Sequence, residues 1–256
     1  MRKLYCIYIL FFCVQLVSAQ QSTKGTIVTP FKISERYLSG LDIPQVRLKA
    51  HPKRMYFQKR IYKGSELSIF ILSSETATNT IDKFSIDEYV FYLKGKAEIE
   101  LQNGEKQTFL SGDHVCVPKG FSGNWTNNGG NQYHLELSVI SNKRAPKEAV
   151  STPAKPFLLG EERLSGIGEI PQKHTLFSGV ELTMKTVTEK PETKEILKNT
   201  QEQFIHVLDG IVTITPKNGK AQIFYRNDFF VLPKGFSGTW KTEAQHTFRM
   251  LVVTTT

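Results

Sequence analysis

The stretch Pro118-Lys119-Gly120-Phe121-Ser122-Gly123-Asn124-Trp125 returns as Pro233-Lys234-Gly235-Phe236-Ser237-Gly238-Thr239-Trp240, shifted by 115 residues. At the same shift Gly64 meets Gly179, Leu93-x-Gly95 meets Leu208-x-Gly210, Asn103-Gly104 meets Asn218-Gly219, and Asp113 meets Asp228. Without gaps, residues 64–125 and 179–240 are identical at 21 of 62 positions. Two copies are too few for a solenoid of short units. The chain therefore reads as a duplicated domain, each half with its own core and its own copy of any site.

Within each half the apolar residues recur with period two and are interrupted by turns. Ala97-x-Ile99-x-Leu101 alternates with polar residues, and Asn103-Gly104 follows as a strong hairpin signal. The second half repeats this through Val212, Ile214 and Asn218-Gly219, and no amphipathic helix of three turns is evident. The pattern predicts an all-β protein of two tandem jelly-roll barrels. Residues 141–156 (SNKRAPKEAVSTPAKP), with three prolines and four Lys/Arg, read as an extended linker. The expected first domain is then 20–140 with an N-terminal extension, and the second 157–256. The polar stretch 185–203 belongs inside the second repeat as a long loop or an edge strand.

Arg2 and Lys3 precede an apolar run from Leu4 to Leu16, and Val17-Ser18-Ala19 is a small-residue cleavage site. Residues 1–19 read as a signal peptide, so the protein is expected to be exported, periplasmic or extracellular. The run is short of the roughly 20 residues that span a bilayer, which disfavours a transmembrane anchor in the mature protein. The mature chain keeps one cysteine, Cys116, within the apolar Val115-Cys116-Val117, so it has no internal disulfide and Cys116 reads as a buried thiol. It carries 31 basic and 24 acidic residues, scattered rather than clustered with aromatics. That reads as a solvated basic surface, and no nucleic-acid partner is expected.

Three features bear on chemistry. Glu88 is followed after six residues by Gly95; Gly112 is followed after five by Pro118-x-Gly120; Asn127 closes the second pattern. In this arrangement the chain resembles the cupin superfamily, as a two-domain member. Its Pro-x-Gly-Phe-x-Gly-x-Trp form is similar to that of ureidoglycine aminohydrolase-like and ethanolamine-utilisation-like cupins. The resemblance covers about residues 64–140 and 179–254. It implies, for most catalytic relatives, a divalent metal held by a His-x-His pair, the first-motif glutamate and a second-motif histidine. This chain departs from that set. The His-x-His windows read Ile81-Asp82-Lys83-Phe84 and Ile196-Leu197-Lys198-Asn199, the second-motif histidine is Gly123 or Gly238, and Gln203 replaces the glutamate in the second half. The six histidines (51, 114, 134, 174, 206, 246) neither repeat between halves nor pair as ligands, though His114 and His134 both fall in the first. No metal or other cofactor is expected.

Strand parity defines the candidate pocket. If Glu88 points inward, Val90 and Tyr92 do too, and Gly123, Trp125 and Asn127 share a face. A glycine at the histidine position is expected to open space there. Lys83 and Lys198 stand near the lost His-x-His pair and could supply the positive charge of the missing metal, or be plain surface lysines. The lysines of Pro118-Lys119-Gly120 and Pro233-Lys234-Gly235 are expected to be exposed on turns. The candidate catalytic residue is Glu88. The candidate ligand-binding residues are Lys83, Tyr92, Trp125 and Asn127 in the first half, and Lys198, Gln203 and Trp240 in the second; the tryptophans could equally be core. Three functions follow. The first is a metal-free binding protein for a small polar ligand, a sugar or carboxylate. The second is a ureidoglycine aminohydrolase-like hydrolase or isomerase using Glu88. The third is a structural or protein-interaction module, and a homodimer through the barrel sheets is left open.

Overall fold

The computed structural model describes residues 27–49, 51–160, 164 and 172–256, so the signal segment 1–19 lies outside the described residues. Strands make up about half of the described residues and nearly all of their regular structure, with one four-residue helix, α1 (Glu35–Leu38), capped by the Ser34 side chain. The first half carries β1 (Phe31–Lys32), β2 (Tyr56–Lys63), β3 (Leu67–Ser74), β4 (Ala77–Ile81), β5 (Glu88–Lys94), β6 (Lys96–Leu101), β7 (Lys106–Leu110), β8 (His114–Val117), β9 (Gly123–Asn128) and β10 (His134–Ser141). The second carries β11 (Phe157–Leu158), β12 (Gln172–Ser178), β13 (Leu182–Glu189), β14 (Thr193–Ile196), β15 (Gln203–Asp209), β16 (Ile211–Pro216), β17 (Gln222–Phe224), β18 (Phe229–Leu232), β19 (Gly238–Glu243) and β20 (Phe248–Thr255). The polar stretch 185–203 is thus the end of β13, a turn and the edge strand β14.

Four antiparallel sheets result. The first unit pairs a six-stranded sheet, β11-β8-β5-β10-β3-β2, with a four-stranded one, β4-β9-β6-β7. The second pairs β1-β18-β15-β20-β13-β12 with β14-β19-β16-β17, the same topology. Each unit is a jelly roll of two facing sheets, and no ladder among the described residues closes it into a continuous hydrogen-bonded barrel. The expected hairpin at Asn103-Gly104 joins β6 to β7, with Gly104 in the left-handed region.

The units exchange edge strands. β1, from the N-terminal segment, pairs with β18, while β11, just past residue 156, pairs with β8 at the equivalent register. Residues 141–156 are pinned as they cross: Asn142 N bonds Glu66 O (2.7 Å), Ala145 N bonds Glu181 Oε1 (2.9 Å), and Ser151 N bonds Lys119 O (3.0 Å).

Parity decides which core each residue joins. In β5, Val90 and Tyr92 face the interior of the first unit, whereas Tyr89 and Phe91 face the second unit. In β15, Ile205 and Val207 face inward while Phe204 faces the first unit. The two six-stranded sheets therefore pack back to back over a shared apolar layer, which includes Leu67, Ile69 and Leu137 from one side and Met184, Phe204 and Val253 from the other. With both faces covered, β3 and β10 are buried almost throughout, and each fully buried aliphatic side chain contributes about 1.5–3 kcal/mol. Cys116 is buried in this layer, and burial pushes its thiol pKa well up. No helix among the described residues is long and apolar enough to cross a membrane.

Candidate functional site

Glu88, Val90 and Tyr92 share the inner face of β5. Opposite them β10 presents Glu136 across from Tyr92, Ser138 across from Val90, and Ile140 across from Glu88. On the other side of β10, His134 lies across from Ser74 and Glu136 across from Leu72 of β3. The inner face of the large sheet thus brings two carboxylates, a histidine, a serine and a tyrosine together, and the facing sheet adds Trp125 and Asn127 from β9.

The contacts are specific. Ser138 Oγ donates to Glu88 Oε1. The Trp125 indole Nε1 donates to Asn127 Oδ1 at 2.8 Å. Ser74 N donates to His134 Nδ1 at 3.2 Å, and His134 Nε2 lies 3.4 Å from Glu136 Oε2. Tyr92 is fully buried, and its hydroxyl is near the Trp125 indole, whose N–H is better directed to Asn127. Glu88 is half-buried and closely surrounded by protein on the inner face of the sheet.

The electrostatics follow from enclosure. Burial pushes the Glu88 carboxyl up to about 7, Glu136 adds to the rise, and the Ser138 hydrogen bond and Arg144 oppose it. Burial raises the phenols of Tyr56 and Tyr92 above their ordinary range, and Glu136 and Glu88 raise them further. Tyr56, at the start of β2, thereby belongs to the same constellation.

Of the residues singled out from sequence in the first half, Glu88, Tyr92, Trp125 and Asn127 are brought together. Lys83 is not: it is exposed on the turn after β4, with φ +52°, and the charges that act on Glu88 are Glu136 and Arg144. Lys198 is likewise exposed, on the equivalent turn. Gly123 does not open space. A Cβ there would lie 2.6 Å from Glu100 O, so glycine lets β9 approach β6, and at Gly238 the same clash is with Thr215 O at 2.2 Å. Nor are the turn lysines both free. Lys119 is buried, with Nζ bonded to Ser85 O at 2.7 Å, and Lys234 Nζ reaches Glu66 Oε1 at 2.6 Å.

The second unit lacks this cluster. By the same pairings, Gln203 stands for Glu88, Val207 for Tyr92, Phe248 for His134, Met250 for Glu136 and Val252 for Ser138. Its interior is filled by Phe224, Phe230, Phe236, Phe248 and Trp240, so Trp240 is core. Gln203 is half-buried beside them. Its charged pair is matched internally, Lys194 Nζ to Glu189 Oε2 at 2.7 Å, with Lys194 5.8 Å from the Trp240 ring centre. Shallow grooves of about 420 and 220 Å³ recur at equivalent places, around Gly123 and around Gly238, and neither is lined by Glu88, Glu136 or Tyr92. The enclosed polar cluster, with its perturbed carboxyl, is the better candidate.

Glu136, His134 and Tyr56 are the functional candidates that the repeat comparison missed. The loop between β9 and β10 is one residue longer than that between β19 and β20, so the 115-residue shift sets Glu136 against Leu251, on the opposite face. Period two within β10 itself, anchored on apolar Leu135, Leu137 and Val139, would have found Glu136 and His134.

Two jelly rolls of identical topology, one enclosing a polar cluster on the inner face of its large sheet, define a two-domain cupin. More narrowly, the EutQ-like cupin domain model matches residues 68–129 and 184–249, together half of the chain, and the chain belongs to that family. No curated protein matches it in sequence. Among solved structures it is similar to a cupin 2 conserved barrel domain protein from Leptotrichia buccalis (19% identity, covering 91% of this chain and 99% of that one, TM-score 0.59). It is also similar to a salicylate 1,2-dioxygenase from Pseudoaminobacter salicylatoxidans (12%, 89% and 84%, 0.57) and to protein Ylba from E. coli (12%, 85% and 88%, 0.56). At these identities the likeness is one of fold.

The metal that most catalytic cupins hold does not fit the residues present. Among the described residues no three His, Cys, Asp or Glu side chains converge as ligands, and the histidine position is a glycine with no room for a side chain.

Proposed function

We propose that this protein is an exported, metal-independent cupin that binds a small polar molecule inside its first jelly-roll unit. The observation that carries this reading is the asymmetry of the duplication. Glu88, Tyr92, His134, Glu136 and Ser138 share one interior, while Gln203, Val207, Phe248, Met250 and Val252 fill the other. A polar interior costs stability relative to an apolar one, and its retention on one side of a duplicated fold is accounted for by use. In thermal-shift screens of sugars, amino acids and organic acids run with EDTA present, a ligand at a hundred times its Kd should stabilise by about 2.7 kcal/mol. Glu88→Gln should weaken that ligand about tenfold while preserving the fold, because the second unit already holds Gln203 there. Gln203→Glu should change binding less than threefold. Unchanged binding in Glu88→Gln would assign the ligand elsewhere.

A second reading is favoured by one observation: a carboxyl pushed to about 7 is matched to general acid–base work near neutral pH. On that reading Glu88 takes a proton from a bound substrate, as a hydrolase or isomerase would require. Export rests on the N-terminal segment. Mature protein from the producing cell should begin at Gln20; an intact Met1 start in its mass spectrum would refute it.

A further inference from the structure

We propose that the β2 edge of the first unit is a docking surface for an acidic polysaccharide, a carbohydrate chain bearing carboxylate or sulfate groups. The choice of a polysaccharide among polyanions rests on the export reading; the surface itself is independent of the interior site. The basic residues, expected to be scattered, concentrate here. Residues 47–63 (RLKAHPKRMYFQKRIYK) hold seven Lys or Arg, together with His51 and no Asp or Glu, where the average of the mature chain predicts about two. The second unit has no such stretch. Ile43-Pro44-Gln45 recurs as Ile170-Pro171-Gln172, yet 18 residues lie between Gln45 and Gly64 and only six between Gln172 and Gly179. At the 115-residue shift Lys59, Arg60 and Lys63 meet His174, Thr175 and Ser178.

The stretch is held in place by the fold. Val46 N donates to Tyr56 O at 2.8 Å and Gln58 N to Pro44 O at 3.1 Å, so residues 47–49 and 51–55 connect two paired extended segments. Arg54 N donates to His51 O at 3.0 Å, Met55 N donates to Glu75 Oε1 at 3.1 Å, and Arg54 Nη1 ties the stretch to β4 through Asn79 Oδ1 at 2.6 Å. Arg47, Lys53, Arg60 and Lys63 are exposed, and their side chains have no hydrogen-bond or ion-pair partner among the described residues. The acids that flank the stretch in the chain, Asp42 and Glu66, are paired with Arg36 and Lys234. Lysines on an edge strand also discourage pairing with another sheet. Residues 44–46 already cover this end of β2, however, and four of the seven cations precede the strand.

Basic stretches of this kind recognise nucleic acids, membranes or acidic polysaccharides. Tyr56, Phe57 and Tyr62 are all half-buried: Tyr62 donates to Glu202 Oε1 at 2.6 Å, and Phe57 packs on Tyr133 with ring centres 5.3 Å apart. That leaves them poor platforms for base stacking. The one helix, α1, is too short to read a groove. Consecutive residues of β2 point to opposite faces, with Lys59 Nζ 4.4 Å from the Tyr37 ring centre and Arg60 on the other side. The cations therefore surround a sheet edge instead of lying in one plane. A flexible chain can follow such an edge, whereas a bilayer meets it on one side only. Arg47 and Arg60 add planar forks that match a carboxylate.

The test titrates the purified protein with polygalacturonate, heparin, neutral dextran, duplex DNA and phosphatidylglycerol vesicles at about 50 mM salt. At least one acidic polysaccharide should bind, dextran should not, and binding should weaken steeply as salt rises. Replacing Arg47, Lys53, Arg60 and Lys63 by Gln should weaken binding at least about tenfold. The matched replacement of Lys173, Lys190, Lys217 and Lys220, all exposed in the second unit, should weaken it less than about threefold. Equal losses in the two variants would make net charge the cause and overturn the docking surface. Tighter binding of DNA or of vesicles than of both polysaccharides would overturn the choice of partner, and silence from both polysaccharides would overturn the proposal outright. Export is tested separately at the mature N-terminus, so a Met1 start beside edge-dependent binding refutes export and leaves the surface standing.

Discussion

Asp87→Ala is expected to destabilise the protein by about 3–5 kcal/mol and lower its thermal midpoint by about 10 °C. Asp87 is completely buried at the seam between the units. Its Oδ1 accepts from Lys119 N at 2.8 Å, and Oδ2 accepts from Glu181 N and Leu182 N of the other unit at 2.8 and 3.3 Å. The duplication repeats the device in reverse. Glu202, at the equivalent position, accepts from Glu66 N and Leu67 N at 3.0 and 2.7 Å and from the Tyr62 hydroxyl at 2.6 Å. Each unit thus extends one carboxylate to the first backbone amides of a strand in its partner. Removing one strands several buried N–H groups, each costing about 1–3 kcal/mol.

The repeated glycines Gly64 and Gly179 make room for these carboxylates. A Cβ at Gly64 would lie 2.1 Å from Glu202 Oε1, and one at Gly179 would lie 2.3 Å from Asp87 Oδ2. Gly64→Ala and Gly179→Ala should therefore each cost about 1–3 kcal/mol, by displacing the carboxylate they seat. Glu100→Ala, which loses only an exposed ion pair to Lys106, should cost less than about 0.5 kcal/mol. Chemical denaturation of all four variants checks this; a loss below about 1 kcal/mol for Asp87→Ala would mean the clasp is incidental. The clasp also bears on the site. Asp87 and Glu88 are consecutive and point to opposite faces, so what anchors Asp87 to the second unit fixes the strand that carries Glu88.

How much of this could be read in advance depended on whether each feature is written locally. Duplication, strand class and the inward faces of Glu88, Tyr92 and Trp125 were legible, because period two and a gapless repeat record them directly. Glu136 and His134 were not legible from the repeat, because one extra loop residue before β10 breaks the register the comparison relies on. For Lys83 the sequence left two readings open, because it is near Glu88 in the chain; its left-handed turn holds it in solvent and selects the surface lysine. Gly123 was misread as an opening because a missing side chain looks like space. Only the neighbouring strand β6 shows that Glu100 O already occupies it. The clasp is written in non-identical residues, Asp87 and Glu202, and in two glycines whose reason lies in the opposite unit.

Acid should destabilise the protein through a histidine pair at that same seam, and His206→Phe should blunt the loss. His114 and His206 are buried and stacked with ring centres 5.1 Å apart, and Phe229 covers His206 at 4.0 Å. The arrangement is pseudo-symmetric, since Phe91 is the equivalent of His206 and Phe229 of His114. Burial pushes His114 down to about 4 and His206 well below its ordinary 6.5, with His114 adding to the second shift. The unfolded chain therefore takes up protons that the fold refuses. The contribution is fully present above pH 6.5 and is lost as pH falls towards the folded values. For His114, the gap from 6.5 to about 4 is worth roughly 3 kcal/mol once pH lies below both. Glu88 works in the opposite sense. Raised from 4.5 to about 7, it contributes most at low pH, and that contribution fades as pH rises through 7. The wild-type profile mixes these terms, so the difference between variant and wild type is the readout. His206 has both ring nitrogens without hydrogen-bond partners among the described residues, so phenylalanine removes a titrating group at little cost. His114 would be a poorer choice, because its Nδ1 lies 2.8 Å from the Tyr89 hydroxyl. The stability of His206→Phe relative to wild type should rise by about 2 kcal/mol between about pH 7.5 and 5. A difference that stays flat across that range would show that His206 already finds a proton acceptor in the fold, and that acid acts through other groups.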